Sequence, residues 1–333
     1  MTTPWYTNAS ANALSCAEHN IIINSEGKVV CWGSSEYFIC NIPELLHDKN
    51  VISVTCSKYN SMALTSDGDV WCWGANLLLL KNIASVSVGQ SLQNWLFHAS
   101  LLTQDGKLVF IGNLNQRKEM PIELNNVLEV CSGQSHVVAL MRDGRVSCWG
   151  SNNDDKCEIP RELEDKFVVK ICCVFNHTTA LTSEGEVICW GSSLFGQCKV
   201  PSNAINIVSI SCGYYNTAAI TAKGKVICWG DNTYGQNNVP PDLENVILVK
   251  FGLNFTAALT SEGKVVCWGS NYFGQCEIPS VLHDKFVINI CCGFEHITAV
   301  TADGEVFCWG KNDKGQCDVP AGLVAQTGMV VLM

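Results

Sequence analysis

Cysteine is the residue type in this sequence with the widest chemistry, because its thiol can bind metal, form a disulfide or act as a nucleophile. Twenty cysteines occur in 333 residues, and they fall at three recurring places. The first class directly precedes a Trp-Gly pair: Cys31, Cys72, Cys148, Cys189, Cys228, Cys267 and Cys308. The second class lies nine residues after members of the first: Cys40, Cys157, Cys198, Cys276 and Cys317. The others end apolar runs such as "SISCG" and "NICCG".

Two interpretations of these thiols remain open. No zinc-type pair of C-x-x-C motifs occurs, so a structural zinc site is not predicted. Reduced thiols used as small buried apolar groups are the interpretation we favour, and they indicate a reducing compartment, cytoplasmic or nuclear. The alternative is a disulfide between the first two classes in five units. Cys72 and Cys228 argue against it, because neither has a cysteine nine residues further on.

Histidine is the second candidate for chemistry. Four histidines are assigned to one recurring place in the repeat, eight residues before the hairpin glycine: His19, His136, His177 and His296. Asn60, Asn216 and Phe255 occupy the same position in other units, whereas His47, His98 and His283 look scattered. A position that accepts His, Asn and Phe is not a metal-ligand position. We therefore interpret it as structural, with a side chain that bonds the backbone at a turn.

The remaining sequence contains no recognisable catalytic constellation. No G-x-S-x-G, phosphate-binding P-loop or H-E-x-x-H motif occurs, and no pair of carboxylates is set apart for acid–base work. We expect no enzyme activity, no cofactor and no metal. The net charge of −10, with only 21 basic residues, makes nucleic acid an unfavourable partner. No apolar run approaches the length of a membrane helix, so we expect no membrane association.

The elements that carry these residues form an internal repeat. Eight glycines stand 38 to 41 residues apart, and all but one follow a tryptophan: Gly33, Gly74, Gly112, Gly150, Gly191, Gly230, Gly269 and Gly310. Six residues before each of them lies a second glycine, most often after Asp or Glu. Such dipeptides between β-branched runs predict tight hairpin turns. The exception to the tryptophan pattern is Ile111, in the third unit.

Each unit therefore reads as strand, turn, strand, hairpin, strand and long loop. Three or four short strands repeated about every 40 residues predict an all-β β-propeller, because a blade buries its faces only against its neighbours. The repeated tryptophan is expected to fill the space between blades. Eight units favour eight blades.

A resemblance supports this fold. The stretch "CGFEHITAVTADGEVFCWGKNDKGQCDVP" resembles a repeat of the regulator-of-chromosome-condensation propeller family, and its short form is similar to the propellers that inhibit β-lactamases. The pattern covers about residues 13 to 320. The family usually has seven blades. We predict an N-terminal extension over residues 1–12 and one propeller domain over 13–333, closed by the apolar tail "GMVVLM".

One face of the propeller is predicted to be the working face. The first turn and the loop after Trp-Gly lie on the same side, the top, where unit lengths vary, whereas the hairpins opposite keep one length. Four residues past the anchor glycine, four of these loops carry an aromatic residue: Tyr37, Phe195, Tyr234 and Phe273. Aromatic residues with polar neighbours are typical of interface hot spots. The alternative is that each ring folds back onto its own loop.

The third unit departs from the pattern in the stretch "SLQNWLFHAS", which adds six residues. Trp95, Leu96 and Phe97 in this insertion form a second candidate docking site. The alternative is that Leu77 to Leu80 and Trp95 pack together to complete a degenerate blade.

These observations favour a non-enzymatic propeller that binds a protein partner through its loop-rich top face. The resemblance implies an alternative, a guanine-nucleotide exchange factor for a Ran-like small GTPase, because the founding member of the family has that activity. The insertion in the third unit is similar in kind to the wedge that helps such a factor displace nucleotide. A structural or coat role is a third alternative.

Overall fold

The computed structural model describes residues 13–75, 78–89, 98–112, 119–121, 124 and 126–327. The described chain forms eight antiparallel sheets with three strands each, and the second sheet gains a fourth strand. Five short 3-10 helices lie in the connecting segments: Glu36–Phe38, Glu44–Leu46, Asn153–Asp155, Arg161–Leu163 and Ser280–Leu282. In the described residues no helix has the length and apolar character needed to cross a membrane.

The sheets are blades 1 to 8 in chain order, and consecutive strands pair within each blade. Blades 1 to 4 comprise β1 (Leu14–Cys16), β2 (His19–Ile23), β3 (Val29–Gly33); β4 (Val51–Cys56), β5 (Asn60–Thr65), β6 (Val70–Gly74), β7 (Leu78–Leu80); β8 (Ile83–Val88), β9 (His98–Thr103), β10 (Leu108–Gly112); β11 (Val127–Ser132), β12 (His136–Met141) and β13 (Val146–Gly150). Blades 5 to 8 comprise β14 (Val168–Val174), β15 (His177–Thr182), β16 (Val187–Gly191); β17 (Ile207–Cys212), β18 (Asn216–Thr221), β19 (Val226–Gly230); β20 (Val246–Phe251), β21 (Phe255–Thr260), β22 (Val265–Gly269); β23 (Val287–Cys292), β24 (His296–Thr301) and β25 (Val306–Gly310).

The blades form a closed ring. The first strand of every blade contacts the first strand of the next, and β23 of blade 8 contacts β1 of blade 1. The first strands therefore line the centre and the third strands lie at the outer edge. This arrangement confirms the all-β propeller, and it confirms the eight blades indicated by the eight glycine anchors.

The ring closes through the two ends of the described chain. Val324 pairs with Glu305, and Ala325 pairs with Asn24 of blade 1. Blades 8 and 1 are also joined by a side chain: Asn20 Nδ2 donates to the backbone carbonyl of Gln316 at 2.7 Å. The tail "GMVVLM" lies outside the described residues, so its predicted closing strand stays a prediction.

The repeated tryptophan joins neighbouring blades, as the sequence predicts. Trp229 of blade 6 is buried, and its indole Nε1 donates to the carbonyl of Gln197, in the segment after blade 5, at 2.8 Å. The same bond to the preceding segment is made by Trp32, Trp73, Trp190, Trp268 and Trp309. The buried indole ring stabilises the contact by packing, and the hydrogen bond of its N–H fixes the orientation of the ring. In blades 1, 2, 5, 6, 7 and 8 this contact joins the blade to the segment before it.

The long connecting segments lie on both faces of the ring, which corrects the prediction that they belong to the upper face alone. After β16 the chain begins at the upper face, where the amide of Ser192 donates to the carbonyl of Asn176. It then descends along the outer edge and reaches the lower face, where the carbonyl of Asn206 accepts from the amide of Ala222. The reason is geometric: three antiparallel strands end opposite the face on which the next blade must start.

The repeated histidines bond to the next blade and not to the backbone of their own turn, which corrects the sequence interpretation. His136 is fully buried, and its Nε2 hydrogen-bonds Thr178 Oγ1 of the following blade at 3.0 Å. His19, His177 and His296 make equivalent bonds to side chains of the following blade. A Cβ at Gly133 would lie 2.2 Å from the ring of His136, so the turn glycine makes room for it.

His98 belongs to the same set, although the sequence analysis grouped it with the scattered histidines. It begins β9, as the others begin the second strand of their blades, and it is fully buried. His98 also lies eight residues before its hairpin glycine, Gly106, so the spacing marked it although the insertion directly before it interrupts the preceding turn motif.

Candidate functional site

The upper face presents two rows of side chains. The outer row consists of the residues at the start of each segment that follows the third strand, and it contains the four predicted aromatic residues. The inner row consists of the turns between first and second strands. In the described part of the chain some neighbouring turns bond to one another: the amides of Gln134, Leu253 and Phe294 donate to the carbonyls of Phe175, Phe294 and Ala17 respectively. The inner row therefore borders the upper mouth of the channel.

Each predicted aromatic residue packs on the following blade, and none of the four contacts is with its own loop. The ring centroids of Tyr37 and Tyr59 are 5.3 Å apart, and those of Phe195 and Tyr215 are 4.8 Å apart. Tyr234 contacts Tyr272 at 6.1 Å. The ammonium of Lys311 lies 4.8 Å above the ring of Phe273. These contacts fix the position of each ring while leaving one side of it accessible.

Buried glutamines hold the outer row in place. The Gln236 side chain is 1% exposed, and its Oε1 accepts a hydrogen bond from the amide of Tyr234 at 2.9 Å. Gln197, Gln275 and Gln316 accept the same bond from the residue two positions before them. The carbonyls of these glutamines accept from the next tryptophan. Each glutamine of the Gly-Gln motif thus holds its own upper-face loop with its side chain and bonds the next tryptophan with its carbonyl.

An inner aromatic cluster, missed by the sequence analysis, covers part of the channel mouth. Tyr214 of blade 6 and Phe294 of blade 8 contact each other at 5.8 Å, although blade 7 lies between their blades. Phe175 contacts Tyr214 at 5.8 Å and Tyr215 at 5.3 Å. Burial raises the pKa of Tyr214, so its hydroxyl stays protonated. The signal was present in the turn sequence "CGYYN", which was interpreted only as a turn.

Among the described residues, the exposed apolar side chains of the upper face are grouped after blades 5, 6 and 7, while Phe38 after blade 1 stands apart at 70% exposed. Five exposed side chains form this group, here called the upper arc: Leu194 (84% exposed), Phe195 (48%), Tyr234 (43%), Tyr272 (79%) and Phe273 (43%). Three of the four predicted outer-row aromatics belong to it, while Tyr37 is half-buried on blade 1. Leu194 and Tyr272 were missed, because only the fourth position after the anchor was considered. Large exposed apolar residues grouped on one arc are typical of a binding surface.

Charged residues flank the upper arc on both sides. On the side of blade 4, Asp154 and Asp155 are exposed at the position that aromatics occupy in the arc. On the side of blade 8, Lys314 bonds Glu18 at 2.7 Å and Glu36 at 3.2 Å. The hydrogen bond that Lys314 donates to Glu18 raises the pKa of Lys314, so the lysine stays charged. An apolar centre with a charged border is the usual anatomy of a protein interface.

The second predicted docking site lies outside the described residues, since Trp95, Leu96 and Phe97 are not among them. The neighbouring residues Leu78–Leu80 form the fourth strand of blade 2 and pair with Val70 to Cys72. This pairing supports the part of the alternative in which these leucines complete an irregular blade.

The described residues bring no metal-binding group together. Within residues 13–75, 78–89, 98–112 and 126–327, no three His, Cys, Asp or Glu side chains are placed to hold an ion. The repeated histidines are dispersed around the ring, one in a blade, which separates them from one another.

A closed ring of eight short-repeat blades defines a β-propeller. Residues 40–320 match the family model described as the RCC1-like domain. The match spans most of the chain, and the protein belongs to the RCC1-like domain family.

Individual relatives are distant. The chain is 24% identical to Protein pim1 of Schizosaccharomyces pombe over 172 residues, which is 46% of the chain but only 27% of pim1. It is similar in structure to yeast RCC1 (Prp20), crystallised with Kap60, with a TM-score of 0.59 at 17% identity over 98% of this chain and 88% of that one. The ectodomain of the Arabidopsis thaliana receptor kinase ACR4 gives 0.55 at 21% identity over 90% and 97%. At these identities the structural likenesses show the fold alone.

Proposed function

We propose that this protein is a non-enzymatic interaction propeller that binds a protein partner through the upper arc. The observation that carries the proposal is the arc itself: five large exposed apolar side chains lie after three adjacent blades, and Phe195, Tyr234 and Phe273 among them are held by contacts with the following blade. Ordered aromatic residues lose little conformational entropy on binding, which is why they dominate interface energetics. The proposal keeps the protein in a reducing compartment, cytoplasmic or nuclear.

Serine at the two most exposed positions of the arc should abolish most of the binding. We expect the Leu194→Ser, Tyr272→Ser double variant to bind the native partner at least about 30-fold more weakly, since a single hot-spot side chain contributes about 2 kcal/mol. Its melting temperature should stay close to that of the wild type, because both side chains are mostly in solvent. The measurement is titration against the partner recovered with wild-type protein from native extract.

The control is a matched pair of exposed apolar residues on the lower face. Ile205 and Phe286 are 62 and 53% exposed there, and the Ile205→Ser, Phe286→Ser variant should retain full affinity. Equal loss in both variants, or loss only in the lower-face variant, contradicts the proposal.

Guanine-nucleotide exchange on a Ran-like small GTPase is the alternative, and membership of the RCC1-like family is the observation that favours it. A yeast member, Prp20p, has been crystallised and studied for binding to Gsp1p and histones. A release assay with fluorescent nucleotide on a panel of small GTPases separates the two functions. Accelerated release at micromolar protein supports exchange, whereas binding without acceleration supports the interaction propeller alone.

A further inference from the structure

Four thiol pairs bracket loops of the upper face. All twenty cysteines are free thiols in this structure. The first-class cysteine of each pair lies on the third strand of its blade, and the second-class cysteine lies where the connecting segment begins to descend beside that strand. The Sγ–Sγ distances are 3.2, 2.7, 3.0 and 3.4 Å for Cys31–Cys40, Cys189–Cys198, Cys267–Cys276 and Cys308–Cys317.

These sulfur atoms meet because the fold brings them together, and no other group separates them. The Cys40 thiol donates to the carbonyl of Ser34 at 3.3 Å, which holds it on the strand side of its loop. Cys198, Cys276 and Cys317 make the equivalent bond to Ser192, Ser270 and Lys311. All eight thiols of the four pairs are partly exposed. Sulfur atoms in contact on residues that are partly accessible to solvent favour disulfide formation.

We propose that each of these four pairs is an oxidation site that closes as a disulfide across its upper-face loop. The loops so closed carry Tyr37, Phe195, Tyr272 and Phe273. The loop after blade 6, with Tyr234, stays open because Asn237 stands where the second cysteine stands elsewhere. Cys148 and Cys157 share the nine-residue spacing but are buried and are not included.

The chemistry balances with a low-molecular-weight disulfide such as oxidised glutathione as the oxidant. A thiolate of the pair attacks one sulfur of the oxidant and releases one glutathione thiolate. The second thiolate of the pair then attacks the protein sulfur of this mixed disulfide, forms the Sγ–Sγ bond and releases the second glutathione. Two protein thiols are oxidised, one glutathione disulfide is reduced, and the two thiol protons pass to the released glutathiones.

Three pairs have an evident attacking member. The thiols of Cys31, Cys267 and Cys308 hydrogen-bond the thiols of Cys40, Cys276 and Cys317, and this bond holds the pKa of each of the latter below its ordinary value. The second-class cysteines are also less enclosed by the blade than the strand cysteines. A thiolate stabilised by a neighbouring thiol reacts with disulfides more readily than an isolated buried thiol.

The consequence is a change in the loops. Closing a short ring around each loop removes open conformations of its backbone, so exchange of its amide hydrogens should slow by about tenfold. The loop after blade 6 provides an internal reference in the same molecule. This inference concerns the loops themselves and stands whether or not they bind a partner.

The experiment places the full chain, reduced and then freed of reductant, in glutathione buffers of increasing oxidation. Free thiols are trapped with N-ethylmaleimide and bridges are mapped by peptide mass spectrometry, with hydrogen exchange in parallel. We expect four bridges at the pairs named and full reversal by dithiothreitol. Exchange should slow in residues 32–39, 190–197, 268–275 and 309–316 but not in 229–236. The Cys276→Ser variant should lose one bridge and retain three, while Cys228→Ser should retain four.

Eight trapped thiols in fully oxidised buffer would overturn the proposal. So would bridges to Cys72 or Cys228, or bridged loops that exchange as fast as the loop after blade 6.

Discussion

Lowering the pH from 7 to 5 is expected to remove about 10 kcal/mol from the free energy of unfolding. Burial lowers the pKa of His19 and His136 to about 3 and that of His98, His177 and His296 to about 4. In the unfolded chain these rings titrate near pH 6.5. Below pH 6.5 these histidines bind protons in the unfolded state but stay neutral in the folded state, so acid favours unfolding. The free energy of unfolding falls by about 2 kcal/mol for each histidine at pH 5. It stops falling between pH 4 and pH 3, where the rings also protonate in the folded state.

Denaturant unfolding at pH 7 and pH 5 measures this difference. Asparagine already occupies the position in two blades, so the His136→Asn, His177→Asn variant should lose about 4 kcal/mol less between the two pH values than the wild type. His47→Asn, at an exposed position, serves as the control and should leave the difference unchanged. An acid loss equal in wild type and double variant would show that these rings are not held neutral in the folded ring.

Replacing Asn20 by alanine is expected to destabilise the protein by about 3 to 5 kcal/mol. Asn20 is fully buried at the seam between blades 8 and 1. Its Oδ1 accepts from Thr298 Oγ1 at 2.7 Å and bonds His296 Nε2 at 3.0 Å, while its Nδ2 donates to the carbonyl of Gln316. Alanine removes all three bonds, each of which contributes about 0.5 to 1.5 kcal/mol. The Gln316 carbonyl keeps its bond from Trp32, and Thr298 keeps its bond to Cys308, whereas the buried His296 Nε2 loses its bond to Asn20, which costs about 1 to 3 kcal/mol more.

The matched control is Ser61→Ala, at the equivalent place in blade 2. Ser61 bonds His19 and the carbonyl of Ile39, so it joins blades that are neighbours in the chain. The Ser61 variant should lose less stability, about 2 kcal/mol, and should not open the ring. In the Asn20 variant, amide hydrogen exchange should rise first in blades 1 and 8. Uniform exchange around the ring, or equal losses in both variants, would contradict the importance assigned to the seam.

The repeat accounts for how much of the fold could be predicted. The spacing of two glycines defines the second strand, the hairpin and the third strand of every blade, and a tryptophan marks the third strand in all blades but blade 3, which has Ile111. A hairpin glycine at positive φ and a buried indole each demand one residue type. Counting such units gives eight blades directly. The descent of the connecting segment to the lower face also follows from the number of strands, because a blade of three antiparallel strands ends on the face opposite the start of the next blade. The prediction placed the whole loop on the upper face because the loop begins there.

The candidate site could be predicted only in part, because the sequence pattern of one repeat unit does not show which residues of other units it contacts. Phe195 and Tyr234 were found from their position in the repeat. The contact of Tyr214 with Phe294 joins residues 80 positions apart, and the repeat does not indicate which rings meet over the channel. Leu194 and Tyr272 were missed since a search at one position overlooks its neighbour. The thiol pairs were visible as a spacing, but only the structure brings their sulfur atoms into contact.

Hydrogen exchange of the protein with and without its captured partner tests the central claim most directly. If the upper arc is the binding surface, the partner should protect residues 193–196, 232–235 and 271–274 on the upper face and leave 203–208 and 284–288 on the lower face unchanged. Protection confined to the lower face, with the arc exchanging as in the free protein, would contradict the account.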